Sequence, residues 1–572
     1  MKKKIFLGIR IAGTVLAIFN LLMFFAMRPC WSGISSTLGY KNGNIPFLYY
    51  FPVGLCVLFF LIAVSDLIIK ALFDKEWIHI TYLATTFVFF VCIMVIIKMG
   101  AIDYMRFVWP TFLVELGIGA IILLLYFLLF IYPKTCLKDN KYFKFGTLGL
   151  AVLISIGVLC NFTINRISYK PVVYAVENNY QIVFSSSSEG TGWVEIDGKN
   201  YYDTYAGTSK KFTKIHKVEV PMNVLDGAKK YTVHTQKSVY AGPFGGFLGR
   251  DLSQTVEFKP VNTSDGIQYL SFSDLHMNGK YAVKTAKFVE KYDFLVLAGD
   301  AVSDVETFDD ANYMNKVANK ITGGSIPVVY ARGNHDVKGR YAEETYKYTG
   351  SKGEKHYFNF YFNNVYGVVL DLGEDHEDDW WEFYGTAHYD EYRTEQVEFL
   401  KQEILKHEYD AYDYHLAVCH IPITFINKRL DHEEIKAEFT SLLNQMDIDM
   451  LICGHQHNLM IFEPGLITPN EQLHFNPEYK KDDKPYKGYL TDFNFPSFMV
   501  SKPGFTFKDE PGLSKTKSQI GMVTNVDLAN HKESVYYLNS KGEKVGLINM
   551  WAEKHYGTDI TIDLNTKKFS AE

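Results

Sequence analysis

The 572-residue chain carries 58 Lys and Arg against 64 Asp and Glu, a formal net charge of −6. Nothing in that overall balance points to nucleic acid, and no nucleic-acid partner is implied. The length exceeds one ordinary domain, and the composition is uneven: residues 1 to about 165 are dense in Leu, Ile, Phe and Val, whereas the remainder is polar and rich in Tyr.

Five apolar segments come first, at roughly Phe6–Met27, Phe47–Ile69, Ile80–Ile97, Phe107–Tyr132 and Phe145–Ile164. Each approaches the ~20 residues that cross a bilayer as a helix. "MKKK" precedes the first, but no A-x-A site follows it, so an uncleaved span is expected rather than a signal peptide. Lys2, Lys3, Lys4, Lys70, Lys75, Lys134, Lys138, Lys141 and Lys144 mark alternate loops as inside. Residues 1–165 therefore read as a five-span helical membrane region in contact with lipid. The rest of the chain is expected on the outer face of a cell membrane. Of seven Cys, only Cys419 and Cys453 fall after residue 165. That is no disulfide framework, and for an outward-facing domain it suits a bacterial surface. Glu115, well inside the fourth segment, stays open as a functional residue.

Short alternating strands follow. "GWVEIDGKNYYD" reads as a hairpin turning at Asp197-Gly198. "YQIVFSSS", "HKVEVPM" and "YTVHTQKSVY" add further strands. The expectation for residues 166–264 is a small all-β sandwich of immunoglobulin or fibronectin type III type. It clusters no acid, base or metal ligand, so it reads as a spacer.

From residue 265 the organisation changes again. "IQYLSFSD", "YDFLVLAGD", "IPVVYARGNHD", "YHLAVCHIP" and "MLICGHQH" are apolar runs of strand length, each ending in a metal-binding residue type. "KYAVKTAKFVEKY" is a helix candidate, and Val397, Leu400, Ile404 and Leu405 mark a core-facing helix. Strands alternating with helices predict an α/β domain with its site at the carboxyl ends of the strands. The candidates there are Asp274, His276, Asp300, Asn334, His335, His420, His455 and His457. An Asp after a strand is usually a turn residue, and a lone His is usually surface or satisfied core. Five strand ends furnished alike argue for a shared site. Imidazole and oxygen ligands suit Mn, Fe or Zn more than Ca or Mg, and a pair of such cations needs a bridging carboxylate. Trp380, Trp381, Tyr384 and Tyr389 follow in an acidic stretch and read as the rim of a loop or as pocket lining.

As an ordered set, "DLH", "GD", "GNHD", "H" and "GHQH" resemble the calcineurin-like metallophosphoesterase family over about residues 266–572. The resemblance implies a four-layer αββα fold and two divalent metal ions. Asp274, His276 and His457 would ligate one metal, and Asn334, His420 and His455 the other. Asp300 would bridge them. His335 would act as general acid or phosphate orienter, with Asp336 holding it by a hydrogen bond. A sandwich directly before such a domain is similar to the layout of purple acid phosphatases. That family has Asp-x-Gly where this chain has Asp274-Leu275-His276, and Gly-Asp-x-x-Tyr where it has Gly299-Asp300-Ala301-Val302-Ser303. A serine supplies no phenolate, so at this departure from the family's pattern a colourless divalent pair is expected.

The function implied is a membrane-anchored phosphoesterase that hydrolyses phosphate esters through attack by a metal-activated hydroxide. The alternatives are a phosphodiesterase acting on a lipid headgroup or envelope polymer, and a non-catalytic membrane sensor of phosphorylated ligands. Oligomeric state is not readable from the sequence.

Overall fold

A computed structural model describes residues 139–572 apart from short stretches, the longest 428–432, 475–486 and 502–518, and a few positions between 120 and 133. Arg166–Thr235 and Leu252–Glu572 make one compact unit; Met1–Asn165 with Gln236–Asp251 makes the other.

Within the second of these, helix α1 (Lys141–Thr163) is the described element that coincides with a predicted span. The expected spans Phe6–Met27, Phe47–Ile69 and Ile80–Ile97 lie outside the described residues. So do most of Phe107–Tyr132 and Glu115. Among the described residues, no helix is long and apolar enough to cross a membrane. This finding overturns the five-span helical bundle. In α1 the apolar run lies between Lys144 and Asn161. At ~1.5 Å per residue it measures about 24 Å, short of the ~30 Å hydrocarbon core.

The larger unit is built on two sheets. Strands β1 (Ile167–Val176), β2 (Asn179–Ile196), β3 (Lys230–Gly242), β4 (Gly245–Glu257), β5 (Ile267–Phe272), β6 (Phe294–Ala298) and β7 (Pro327–Ala331) belong to the first. The second takes β8 (Phe358–Phe362), β9 (Val365–Val369), β10 (Tyr414–Val418), β11 (Met450–Cys453), β12 (Ile461–Phe462) and β13 (Ser497–Met499). The chain then returns to the first with β14 (Gly521–Asp527), β15 (Lys532–Leu538), β16 (Asp559–Asp563) and β17 (Lys568–Ala571). The first sheet runs β17-β16-β15-β14-β5-β6-β7-β1-β2-β3-β4, and the second runs β8-β9-β10-β11-β13-β12. Strands β5, β6 and β7 are mutually parallel, as are β9, β10 and β11. Their carboxyl ends therefore open on one side.

Side-chain alternation explains the layering. Along the second sheet, Val365, Val369, Tyr414, Leu416, Val418, Met450 and Ile452 join the core shared with the first sheet. Their neighbours Tyr366, Val368, Ala417, Cys419, Leu451 and Cys453 face the other way. There they pack with Val397 and Leu400 of helix α4 (Tyr389–Lys406) and with Phe439 and Leu443 of helix α5 (Glu433–Gln445). Helices α2 (Gly279–Ala286) and α3 (Tyr313–Thr322) lie against the first sheet, at β14 and β1. The result is the four-layer αββα arrangement expected of residues 265–572. In α4, Ile404 is partly buried as expected, but Leu405 is 70% exposed.

The separate sandwich is not observed. The Asp197-Gly198 hairpin forms, with Ile196 opposite Lys199. However, β1 pairs in parallel with β7, Val173 opposite Pro327 and Tyr174 opposite Val328. The physical reason lies in "PVVYAV", Pro171–Val176, which is buried throughout. An apolar run of that kind marks a central strand covered on both faces, not a half-exposed sandwich strand. Polar contacts seal the junction. Tyr174 Oη donates to Asn315 Oδ1 at 2.7 Å. Gln181 exchanges two hydrogen bonds with the backbone of Ser351, at 2.8 and 3.0 Å. Lys217 Nζ reaches the Tyr346 carbonyl and Ser351 Oγ at 2.5 and 2.7 Å.

Candidate metal centre

The strand ends are tied to one another before any ligand is considered. Asp274 N donates to Gly299 O, His276 N to Asp300 O and Met277 N to Ala301 O, at 3.0–3.1 Å. These bonds carry the β5–β6 pairing into the loops. Asp274, His276, Asp300, His455 and His457 all have left-handed backbones, with φ between 39° and 71°. Non-glycine residues rarely adopt that region, and clusters of them mark sites where packing overrides local preference. Gly333 and Gly454 leave room for the carboxylates. A Cβ at Gly333 would lie 2.3 Å from Asp300 Oδ1, and one at Gly454 would lie 1.9 Å from Ser273 Oγ and 2.6 Å from Asp274 Oδ2.

All eight strand-end candidates converge. His276 Nε2 lies 3.5 Å from Asp300 Oδ2, and His420 Nε2 lies 3.1 Å from the same oxygen. His457 Nε2 stands 3.1 Å from His276 Nε2 and 3.6 Å from Asp274 Oδ1. Asn334 Oδ1 faces His455 Nδ1 at 3.2 Å. His335 packs edge-on against His276, ring centroids 4.9 Å apart. Ligand atoms of Asp274, His276 and His457, of Asp274, Asp300 and His420, and of His276, Asp300 and His335 each lie within 4.8 Å of one another.

The electrostatics favour cations. Burial alone would raise the Asp300 carboxyl, but His420 and His335 hold it below the usual carboxylate range. Burial opposes charge on His420, yet Asp300 pushes it up to about 10. Burial is the main force lowering His276. The proton on His420 thus occupies a place that a metal ion would take.

Donor chemistry supports the same conclusion. His420 Nδ1 lies 2.6 Å from the Ala298 carbonyl and so carries the hydrogen, which turns the Nε2 lone pair toward the site. That buried Nε2 has no hydrogen bond of good geometry. Asn334 Nδ2 donates to Glu374 Oε1, and His455 Nε2 donates to Asp375 Oδ2, both at 2.9 Å. Their remaining atoms, Asn334 Oδ1 and His455 Nδ1, are then two acceptors face to face. A cation resolves that contact, and the residues fit divalent metal ions.

Asp336 does not hold His335. It accepts from the backbone N–H groups of Asp300, Ala301 and Gly333 and from Tyr330 Oη, at 2.9–3.1 Å. It therefore fastens the β6 and β7 ends together, and burial with the nearby Asp300 pushes its carboxyl up to about 6. His335 is held by the Ser303 carbonyl, 2.7 Å from its Nδ1. Ser303 thus contributes through its backbone.

Glu374 and Asp375 were not among the sequence candidates, although they follow a strand end, that of β9, like the others. Beyond them His376 stacks on Trp380 with centroids 4.2 Å apart, while Trp381 and Tyr384 are exposed and Tyr389 opens α4.

Three solved structures are similar to the chain. A purple acid phosphatase, PPD1, from yellow lupin (Lupinus luteus) seeds is 11% identical, covering 70% of this chain and 74% of that one at a TM-score of 0.44. PhoD is 11% identical, covering 71% and 94% at 0.40. GAP50, the anchor in the inner membrane complex of Plasmodium, is 14% identical, covering 50% and 90% at 0.32. No curated protein sequence matches the chain. Residues 268–459 match the sequence model of the calcineurin-like phosphoesterases. That stretch, about a third of the chain, is similar to the calcineurin-like phosphoesterases, and the match supports a metal-dependent hydrolase of phosphoric esters.

Proposed function

We propose that the chain hydrolyses phosphate esters at a dinuclear divalent-metal centre in which Asp300 is the shared ligand. The observation that carries this reading is that Asp300 Oδ2 lies near both His276 and His420, at 3.5 and 3.1 Å. One ligand set is Asp274, His276 and His457. The other is Asn334, His420 and His455. Mixed imidazole and oxygen donors favour Mn, Fe or Zn. Bound there, the two ions supply charge to phosphoryl oxygens and make water acidic enough to attack at neutral pH.

The protein's own part is positioning and proton transfer. His335 donates from Nδ1 to the Ser303 carbonyl, so its Nε2 stays available to pass a proton to the departing ester oxygen. Its edge-on packing against His276 keeps the ring beside the ligands.

The test is Asp300→Asn in the full chain, with bound metal and hydrolysis of p-nitrophenyl phosphate measured together. Both are expected to fall, and wild-type values for both would refute the shared-ligand role. Running bis(p-nitrophenyl) phosphate in parallel separates monoesterase from diesterase action. A membrane location with the catalytic unit outside is proposed on the sequence of residues 1–139 alone. Protease cleavage within residues 166–572 on intact cells supports it, and complete protection refutes it.

A further inference from the structure

One half of the centre is held from behind by a segment that, among the described contacts, touches no other part of it. After β9 the chain runs through Asp371, Leu372 and Gly373 to Glu374 and Asp375. The side chains of Glu374 and Asp375 are 2% and 10% exposed. Asp375 Oδ2 accepts from His455 Nε2 at 2.9 Å. Glu374 Oε1 accepts from Asn334 Nδ2 at 2.9 Å and from the Asp375 N–H at 3.0 Å. Consecutive carboxylates therefore grip two members of a single ligand set.

The grip is itself rigid. Arg393 of α4, 2% exposed, donates from one nitrogen to the carbonyls of Leu372 and Glu374 at 3.0 and 2.6 Å. Lys338 Nζ lies 2.5 Å from Glu374 Oε2 and offsets its charge. The third member of the set, His420, is fixed separately by the Ala298 carbonyl. Among the described contacts, neither carboxylate reaches Asp274, His276 or His457.

We propose that Glu374 and Asp375 are positioning residues for one metal subsite only, that of Asn334, His420 and His455, and that they set its affinity independently of the other. Their hydrogen bonds fix which atoms of Asn334 and His455 face the metal. The negative charge on Asp375 also makes the His455 ring a better donor.

This inference rests on the dinuclear reading above, and one experiment separates the two. Mn(II) is titrated into the full chain by calorimetry, with bound metal counted by elemental analysis and folding checked by circular dichroism. The wild type is expected to show two binding events. Asp375→Ala weakens one event about 10–100-fold and leaves the other unchanged. Glu374→Ala weakens the same event. Asp375→Asn, which still accepts the His455 N–H, has a smaller effect and decides the matter if Asp375→Ala does not fold. A wild type that takes up a single ion refutes both readings. Two ions in the wild type, with folded variants that change neither event or both equally, refute this one alone.

Discussion

Tyr414 Oη donates a 2.6 Å hydrogen bond to Glu533 Oε1 between the two sheets. Tyr269 Oη, on β5, lies 2.7 Å from Tyr414 Oη and 3.3 Å from the same carboxylate oxygen. Among the described residues, Glu533 Oε2 has no hydrogen-bond partner. Burial is the main cause that pushes the Glu533 carboxyl up to about 8 from its ordinary 4.5. The folded state therefore holds a proton that the unfolded chain releases earlier.

Stability is expected to follow from that sign. Between pH 4.5 and about 8 the native state binds more protons than the unfolded chain, so this group's contribution is full below 4.5 and declines as pH rises to 8. Glu533→Gln keeps an acceptor for both tyrosines and cannot ionise. Melting temperatures measured from pH 5 to 9 should fall less steeply in the variant than in the wild type. Parallel curves would show that Glu533 is not the group responsible.

His335→Ala should retain metal and lose rate. The imidazole is held by a backbone carbonyl and not by a ligand, so its removal leaves both ligand sets in place. A general acid contributes about 10²–10⁴-fold, and kcat is expected to drop by that order. Loss of bound metal in parallel would reassign His335 as a ligand.

Gly333→Ala places a methyl 2.3 Å from Asp300 Oδ1. The carboxylate has to move, and its partner His420 is buried and fixed. Overpacking of this kind costs about 1–3 kcal/mol. Metal uptake should fall with it, and a variant with unaltered melting temperature and metal content would contradict the crowding seen here.

Lys217→Met tests whether residues 166–264 belong to the catalytic core. The ammonium supports the Tyr346 carbonyl and Ser351 Oγ, and burial pushes it down to about 8. Removing it leaves buried acceptors unmet at a cost of about 1–3 kcal/mol. In a single cooperative transition the whole catalytic unit should melt earlier. Two transitions, only one of them shifted, would restore the picture of an independent spacer.

That the strand-end residues come together was legible in the sequence because each follows an apolar strand-length run, and such runs at Tyr269–Phe272, Phe294–Ala298 and Tyr414–Val418 read directly. The partners of those residues were not legible. Whether Asp336 reaches His335 or the Asp300 backbone depends on where two loops meet, and a single sequence carries no sign of that. Glu374 and Asp375 carried the same signal as the others but are set off from the end of β9 at Val369 by Leu370–Gly373. Pro171–Val176 was assigned to no strand in the sequence, and its burial on both faces is what lets β1 pair with β7. The membrane expectation rested on hydropathy and on the placement of Lys in alternate loops, and α1 shows how polar ends shorten an apolar run.

The parallel placement of β1 beside β7 has a mechanical consequence. Val173 stands opposite Pro327 at the start of β7, so Ile167 lies further toward the amino ends of the strands. At ~3.3 Å per residue, the chain enters the catalytic unit about 30 Å from the level of Ala331. Tension on Arg166 would pull β1 along its own axis, in shear against β2 and β7 together. Bonds loaded in that way resist as a group instead of peeling one at a time, so a tether ahead of Arg166 could bear load while the ligand loops at the far ends of the strands keep their geometry.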